Sequence, residues 1–135
     1  MEARFFIDRA IGAELLPSAL RDAEWDVVTM RERYGEQAGQ FVSDITWIRS
    51  ASEERECILT KDDRVATRPA EAQTIYMCDA RVFAFARADL TAAAMIDILL
   101  DQSDQIDRWA ARVPGPYVAS LSSGRPIRRR RLNYP

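Results

Sequence analysis

Acidic residues stand directly after two apolar runs of this sequence. Asp8 follows the run 4–7, and Asp62 and Asp63 follow the run 57–61. If both runs are buried parallel strands, their carboxyl ends converge on one crevice, which is where open α/β sheets bind ligands. Carboxylates gathered there repel one another, and a bound divalent cation is the usual reason for such a group. The spacing therefore predicts a metal site at the carboxyl ends of the strands.

A divalent cation would give these carboxylates a hydrolytic chemistry. Mg²⁺ and Mn²⁺ take oxygen ligands and keep several waters, so a few carboxylates from separate segments suffice. Such a centre activates a water molecule and stabilises the charge that builds on a phosphodiester during hydrolysis. Thr60 can hydrogen-bond a carboxylate, and Arg9, Lys61 and Arg64 are candidates for contacting a substrate phosphate.

Each acidic residue also has a structural explanation that needs no metal. Asp8 lies where an aspartate caps a helix N-terminus, and Asp44 follows Ser43 at the start of a predicted helix. Asp62 and Asp63 suit an Asx turn. Because adjacent side chains diverge in most backbones, we expect only one of this pair to face Asp8, and we choose Asp62.

The composition excludes several classes of enzyme. A chain of 135 residues, 47% hydrophobic and 30% charged, is expected to form one globular domain. It contains no histidine, which excludes Ser-His-Asp and Cys-His catalysis, histidine acid–base chemistry and histidine-bound zinc. Cys57 and Cys78 lie too far apart for a CxxC motif, so we expect reduced core residues. Any chemistry must use carboxylates, Lys, Arg, Tyr, Ser, Thr or an oxygen-bound metal.

Neither a membrane segment nor a signal peptide is recognisable in the sequence. No apolar stretch approaches the length needed to span a bilayer, and residues 1–4 lack signal-peptide character. We therefore expect a cytoplasmic protein without membrane contact.

Charge is unevenly distributed along the chain. Residues 125–135 contain five of the 19 basic residues and no acidic residue, which leaves 14 basic against 21 acidic residues elsewhere. A basic strip on an acidic body can bind a polyanion such as RNA, or it can bind an acidic protein segment. It can also be a solvated arm that binds nothing and limits aggregation. Because no aromatic residue separates the arginines, we expect no sequence-specific RNA recognition by this arm.

The elements that must position these residues alternate between strand and helix. Strands are predicted at 4–7, 26–30, 57–60 and 82–86, helices at 11–23, 44–55, 70–75 and 91–110, and a final strand and turn with a basic arm at 117–132. This order favours an α/β sandwich with a mainly parallel sheet.

Two segments fit the alternating pattern less well. Pro17 falls inside the helix predicted at 11–23, where an interior proline costs about 3 kcal/mol, so the true helix can begin there. Residues 31–40 are polar, contain glycine and lack periodicity. That stretch predicts a long loop, which is a candidate specificity element.

Four segments in this order resemble those of the PIN-like domains. They are Arg4-Phe5-Phe6-Ile7-Asp8-Arg9, Asp26-Val27-Val28-Thr29-Met30-Arg31, Asp44-x-x-Trp47-Ile48 and Ile58-Leu59-Thr60-Lys61-Asp62-Asp63-Arg64. The resemblance spans about residues 4–90 and is nearest to the VapC-type toxins of bacterial toxin–antitoxin pairs. No single segment is diagnostic, and the order of all four carries the resemblance.

The resemblance implies a PIN-like three-layer α/β/α sandwich over residues 1–124, with the basic arm 125–135 as part of the same domain. It implies an endoribonuclease that depends on Mg²⁺ or Mn²⁺ and is the toxin of a type II toxin–antitoxin pair. Its partners would be an RNA substrate, a cognate antitoxin and, in a homodimer, a second copy. It places the first acid at Asp8, the middle acid at Asp44 and the Thr-x-Asp acid at Asp62.

The fourth acidic position of the family stays open. Arg64 occupies one place where PIN-like domains often carry another aspartate, which leaves Asp63 or Asp89 as the fourth metal ligand and the number of metal ions unresolved. The missing acid supports an alternative in which the domain is catalytically inactive and only binds a partner. A phosphate-accepting receiver domain is a further alternative, but it would need an acidic pair where Asp8 stands beside Arg9.

Overall fold

Six strands form one sheet in the computed structural model, which describes residues 1–12 and 14–135. The strands are β1 (Arg4–Ile7), β2 (Asp26–Thr29), β3 (Cys57–Thr60), β4 (Arg81–Phe85), β5 (Tyr117–Leu121) and β6 (Arg128–Arg130). Their order across the sheet is β2-β1-β3-β4-β5-β6. Strands β1 to β5 run parallel, and β6 is antiparallel to β5. The predicted α/β fold with a mainly parallel sheet is confirmed.

Helices cover both faces of this sheet. They are α1 (Leu15–Asp22), α2 (Met30–Tyr34), α3 (Asp44–Glu53), α4 (Pro69–Met77), α5 (Ala92–Asp101) and α6 (Ser103–Arg112). Short 3₁₀ turns at Arg9–Ile11, Ala38–Gln40 and Asp63–Ala66 follow β1, α2 and β3. Within the two described ranges, no helix combines the length and the apolar character needed to cross a bilayer.

Side chains that alternate along the strands build a separate core on each face of the sheet. In β1, Phe5 and Ile7 pack in a core with residues of α1, α5 and α6, whereas Phe6 packs with residues of α2, α3 and α4. In β3, Leu59 belongs to the first core and Ile58 to the second. All five side chains are at most 1% exposed, and burying such a side chain contributes about 1.5–3 kcal/mol. The outcome is the expected three-layer sandwich.

The first helix is shorter than the sequence predicts. The helix expected at 11–23 is α1, which begins at Leu15 and ends at Asp22, and position 13 lies outside the described residues. Pro17 is the third residue of α1, within the first turn, where a backbone N–H has no helical partner to lose. The proline therefore lies near the start of the helix, as its energetic cost in a helix interior indicates.

The helix predicted at 91–110 is two helices, so that prediction is wrong at one residue. Gln102 lies between α5 and α6, and its buried side chain donates a hydrogen bond from Nε2 to the carbonyl of Ser122 at 2.6 Å. The helix is therefore interrupted at the residue whose side chain bonds the segment after β5. The apolar stripe continues through it, because Met95 of α5 and Ile106 of α6 lie in the same core.

The segment predicted as a loop at 31–40 contains most of α2 and a 3₁₀ turn, so the loop prediction is largely wrong. Strand β2 ends at Thr29, whose Oγ1 accepts a hydrogen bond from the N–H of Glu32 at 3.1 Å. In return, Oε1 of Glu32 accepts one from the N–H of Thr29 at 2.9 Å. A helix of 5 residues is too short to show periodicity, but this reciprocal cap is a signal that the sequence contains.

The basic C-terminal segment is part of the sheet. Strand β6 pairs with β5, and the Cζ atom of Arg129 lies 5.8 Å from the ring centroids of both Trp109 and Tyr117. Beyond the strand, the N–H of Asn133 donates to the carbonyl of Ala66 at 2.8 Å. Backbone pairing and cation–π contacts therefore hold this segment against the rest of the fold.

Candidate active site

The carboxyl ends of β1 and β3 lie side by side and open into one cavity of ≈ 330 Å³. This space, called the acidic cavity below, is lined by Asp8, Arg9, Ala10, Asp44, Thr60, Lys61, Asp62, Arg68 and Ala88. Its acidic residues come from three segments: the turn after β1, the first residue of α3 and the turn after β3. Parallel pairing of β1 with β3 is what brings the two turns together.

Asp8 is the most buried carboxylate of the acidic cavity, with 8% of its surface exposed. Its backbone N–H donates to the carbonyl of Leu59 at 3.0 Å, and its Oδ2 accepts a hydrogen bond from Oγ1 of Thr60 at 2.9 Å. Burial raises the pKa of Asp8, and the negative charge of Asp44 raises it further, whereas the Thr60 hydrogen bond lowers it. The raised pKa means that this carboxylate lacks sufficient compensation for its charge.

Asp44 is fixed by the helix that it begins. Ser43 is the N-cap of α3 and accepts a hydrogen bond from the N–H of Thr46 at 3.2 Å. Oδ1 of Asp44 accepts one from Nε1 of Trp47 at 3.0 Å, and Trp47 is almost fully buried. Ser43 therefore takes the capping role that the sequence leaves open for Asp44, and the Asp44 carboxylate lines the cavity.

Asp62 is held by two arginines at the rim of the acidic cavity. Its Oδ2 accepts from Nε of Arg64 at 2.8 Å, and its Oδ1 accepts from the backbone N–H of Arg64 at 2.9 Å. Arg68 lies 3.8 Å away through its Nη2 atom. Burial alone would raise the pKa of Asp62, but the hydrogen bonds and charges of the two arginines outweigh it and lower the pKa. Arg68, which precedes a proline at the start of α4, has no sequence pattern that marks it as a site residue.

Asp63 does not line the acidic cavity. Its side chain turns inward, where it is 3% exposed and Oδ2 accepts a hydrogen bond from Oγ of Ser120 at 2.7 Å. Nη1 of Arg130 lies 3.4 Å from the same oxygen. Asp89 is exposed and pairs with Arg87 at 3.0 Å, and it lies outside the acidic cavity as well. Neither candidate for a fourth acid therefore stands with Asp8.

The three residues expected to contact phosphate lie in different surroundings. Nη1 of Arg9 donates to the carbonyls of Gly39 and Val42, both at 2.9 Å, so Arg9 holds the segment before α3. Lys61 lines the acidic cavity directly. Arg64 is exposed and bound to Asp62.

Two carboxylates fit a divalent cation in this arrangement. Among residues 1–12 and 14–135, no three His, Cys, Asp or Glu side chains form a group that could hold one metal ion. Mg²⁺ commonly binds proteins through one or two carboxylates and completes its coordination with waters and substrate phosphate. Asp8 and Asp44 supply that number of oxygen ligands. Burial, and to a smaller extent the charge of Asp44, raises the pKa of Asp8, and a bound cation would offset both effects.

Comparison with known proteins gives the same family for most of the chain. The family model described as "PIN like domain" matches residues 3–87. A curated protein of Mycobacterium tuberculosis, "Putative ribonuclease VapC45", is 36% identical over 123 residues, which cover 91% of this chain and 88% of that protein. No solved structure matches the chain significantly.

Proposed function

The chain belongs to the PIN-like domain family as a VapC-type protein, and from this premise we propose that it is a metal-dependent endoribonuclease. It acts as the toxin of a type II toxin–antitoxin pair, with RNA as substrate, a cognate antitoxin as partner and the cytoplasm as its place of action. The acidic cavity carries the proposal, because Asp8, Asp44 and Asp62 line it together with Lys61 and Arg68. The description of the mycobacterial relative as a ribonuclease supports it.

Asp8 and Asp44 would hold Mg²⁺ or Mn²⁺ through their carboxylate oxygens. The ion, when bound, supplies activation of water and neutralises charge on the phosphodiester. Thr60 orients the Asp8 carboxylate through its 2.9 Å hydrogen bond, and Trp47 orients Asp44 through its 3.0 Å bond. Because Thr60 and Trp47 are buried, both carboxylates are positioned before substrate arrives.

Asp62 has a separate role in this proposal. It keeps the guanidinium groups of Arg64 and Arg68 at the rim of the cavity, at 2.6 Å and 3.8 Å from its Oδ2. Guanidinium groups are planar multiple donors that suit phosphate oxygens. Lys61 adds a third positive charge to the cavity wall. These cations attract an RNA backbone toward carboxylates that would otherwise repel it.

The proposal is tested by removing each carboxylate charge without changing the side-chain shape. Asp8→Asn and Asp44→Asn should each lower RNA cleavage by on the order of 10²-fold or more, with the melting temperature of the protein retained or increased. Asp97→Asn is the matched control, because Asp97 is an exposed aspartate of α5 that does not line the cavity. A wild-type cleavage rate in either cavity variant would overturn the proposal.

The toxin role is tested separately, by expressing the protein in bacteria. Expression of the wild-type chain should arrest bacterial growth, and co-expression of the product of a neighbouring gene should relieve the arrest. Asp8→Asn should remove the arrest at equal protein level.

A partner-binding domain without catalysis is the second candidate. It is favoured by Arg64, which stands where the family resemblance places a further acid. Purified wild-type protein that cleaves no RNA with either ion, while still binding the neighbouring gene product, would select this candidate.

A further inference from the structure

A second, smaller cavity lies next to the acidic cavity and shares Asp8 and Arg9 with it. This space, called the side pocket below, has a volume of ≈ 180 Å³ and lies between the end of β1 and the segment 29–40. The shared residues mean that a molecule reaching Asp8 from one cavity is adjacent to the other. A ligand in the side pocket would therefore sit beside the reacting group in the acidic cavity.

The walls of the side pocket combine apolar side chains with bare backbone. Ile7 and Met30 are almost fully buried and line it, and glycines 12, 35 and 39 line it without side chains. A Cβ atom at Gly39 would lie 3.2 Å from Cγ of Met30, so any larger residue there presses on the wall. Gly35 has a φ of +90°, which disfavours a residue with a side chain. Apolar side chains beside backbone without side chains suit the face of a ring.

The polar residues that line the side pocket comprise two buried ones, Asp8 and Thr29, and four exposed ones, which are Arg9, Arg31, Glu36 and Gln40. Arg31 and Gln40 are exposed residues that line it. Within the described ranges 1–12 and 14–135, the ion pairs of Arg31 are loose, at 3.8 Å from Glu14 and 3.9 Å from Glu36, so its guanidinium retains donor capacity. An amide and a guanidinium can hydrogen-bond the edge of a base, and a guanidinium can also stack on its face.

The outer wall of the side pocket is held in place before any ligand binds. Arg9 anchors it through the carbonyls of Gly39 and Val42, at 2.9 Å each. Helix α2 is anchored at its other side by Arg33, whose guanidinium forms two hydrogen bonds to the buried carboxylate of Glu56 at 2.6 Å and 2.5 Å. A preformed pocket binds a ligand without the entropic cost of ordering a loop.

We propose that the side pocket binds one unpaired nucleobase of the RNA, from the nucleotide next to the phosphodiester that is cleaved. This inference rests on the proposed ribonuclease function and adds the form of the substrate. Pockets for drug-sized ligands run from roughly 300 to 1,000 Å³, so a space of ≈ 180 Å³ admits a single small ring system. A stacked, paired base cannot enter such a space, and the substrate is therefore single-stranded at this position.

The test compares base preference in variants of the pocket. Short unstructured RNA oligonucleotides that differ only in the nucleotide beside the cleaved bond are cut by wild type, Gly39→Leu, Gln40→Ala and Gln37→Ala. Gln37 is the matched control, because it is an exposed glutamine of the same segment that does not line the pocket. We expect the wild type and Gln37→Ala to favour one base by about tenfold in kcat/KM, and Gly39→Leu to reduce that preference to about threefold or less.

A binding measurement separates the pocket from the chemistry. In an Asp44→Asn background, which keeps the pocket walls intact, fluorescence anisotropy reports the affinity for the preferred oligonucleotide. Adding Gly39→Leu should weaken binding about tenfold, and the same oligonucleotide in a duplex should compete poorly. If Gly39→Leu does not fold, Gln40→Ala, at an exposed position, decides the outcome by the same two readouts.

The two proposals fail in different ways. Loss of cleavage in Asp44→Asn, combined with unchanged base preference and affinity in Gly39→Leu and Gln40→Ala, would overturn the nucleobase pocket and leave the ribonuclease site intact. Unchanged cleavage in Asp44→Asn would overturn the ribonuclease site itself. Equal affinity for the duplex and the single strand would also overturn the pocket.

Discussion

Oγ1 of Thr60 donates a hydrogen bond of 2.9 Å to Oδ2 of Asp8, although the two residues are 52 positions apart in the sequence. The bond joins the last residue of β3 to the residue that follows β1. One neutral hydroxyl does not offset the burial of this carboxylate, and the pKa of Asp8 stays raised. The folded chain therefore holds an unfavourable negative charge at the centre of the proposed site.

Thermal stability should decrease as the pH rises through the range in which Asp8 ionises. Burial raises the pKa of Asp8 above the unfolded value of about 3.9, so the folded state keeps a proton that the unfolded chain has released. This stabilisation is complete below the unfolded pKa and is lost as the pH rises through the folded pKa. Calorimetry across a pH series should show that Asp8→Asn lacks this dependence and is more stable than wild type at neutral pH.

The control is Asp97→Asn, which changes an exposed aspartate of α5 and should follow wild type. An Asp8→Asn variant that is less stable than wild type at every pH would contradict the argument.

Mg²⁺ or Mn²⁺ should stabilise the wild type and not Asp8→Asn. A ligand that binds only the folded state adds about 2.7 kcal/mol when its concentration is 100 times its dissociation constant. Differential scanning fluorimetry with and without the ion measures this shift, and EDTA should abolish both the shift and the RNA cleavage. Equal shifts in wild type and variant would remove Asp8 from the metal site.

The salt dependence of RNA binding should separate Lys61 from Arg9. Each contact with a single-stranded phosphate contributes about −0.7 to the slope of log affinity against log salt. Lys61→Ala should make the slope shallower by about that amount, because Lys61 lines the acidic cavity. Arg9 lines the cavity too, but its Nη1 atom already donates to the carbonyls of Gly39 and Val42. Arg9→Ala should therefore change the slope less than Lys61→Ala and should speed amide hydrogen exchange in the segment 38–42. A salt slope for Arg9→Ala as shallow as that of Lys61→Ala would instead support the phosphate contact that the sequence predicts for Arg9.

Removal of the Glu56 carboxylate should destabilise the fold severely. The side chain of Glu56 is 1% exposed and pairs with Arg33, which also lies over the ring of Phe6 at 5.1 Å. Breaking a buried ion pair from one side costs about 3–5 kcal/mol, because the other charge remains buried. Urea denaturation of Glu56→Ala measures this cost, and Glu53→Ala, at an exposed position of α3, should change the free energy of unfolding little. Similar values for both variants would show that the Arg33 contact is energetically unimportant.

Asp63 should affect stability and leave cleavage nearly intact. Asp63→Ala deprives the buried hydroxyl of Ser120 of its acceptor, and an unsatisfied buried group costs about 1–3 kcal/mol. Cleavage rate and unfolding free energy are measured on the same preparation. Lost cleavage with unchanged stability would instead make Asp63 a metal ligand.

The ends of β1 and β3 were predictable from the sequence, because each is marked locally by an apolar run that stops just before an aspartate or a Lys-Asp pair. The apolar runs before Asp8 and Asp62 are β1 and β3, and parallel pairing places both turns at one cavity. The partners of the charged residues were not predictable. Arg9 contacts Val42, 33 positions away, and Arg33 contacts Glu56, 23 positions away. Such contacts depend on how helices pack, which no local pattern of residue types specifies.

The missed break in the helix predicted at 91–110 has the same origin. Helical periodicity predicted one helix across Gln102, because the apolar stripe of α5 continues into α6. The hydrogen bond from Gln102 to Ser122 depends on the position of a segment 20 residues later. Helix α2 was missed for a different reason. Its 5 residues make fewer than two turns, so they show no periodicity, and its cap is the one local signal in the sequence.

Strand β6 limits how this sheet can grow. It forms one edge of the sheet and consists of Arg128, Arg129 and Arg130. If a second copy of the chain added its own β6 along that edge, three arginines from each chain would stand opposite one another, and like charges at facing positions oppose pairing. Electrostatic repulsion therefore opposes the joining of two copies into one continuous sheet through their β6 strands.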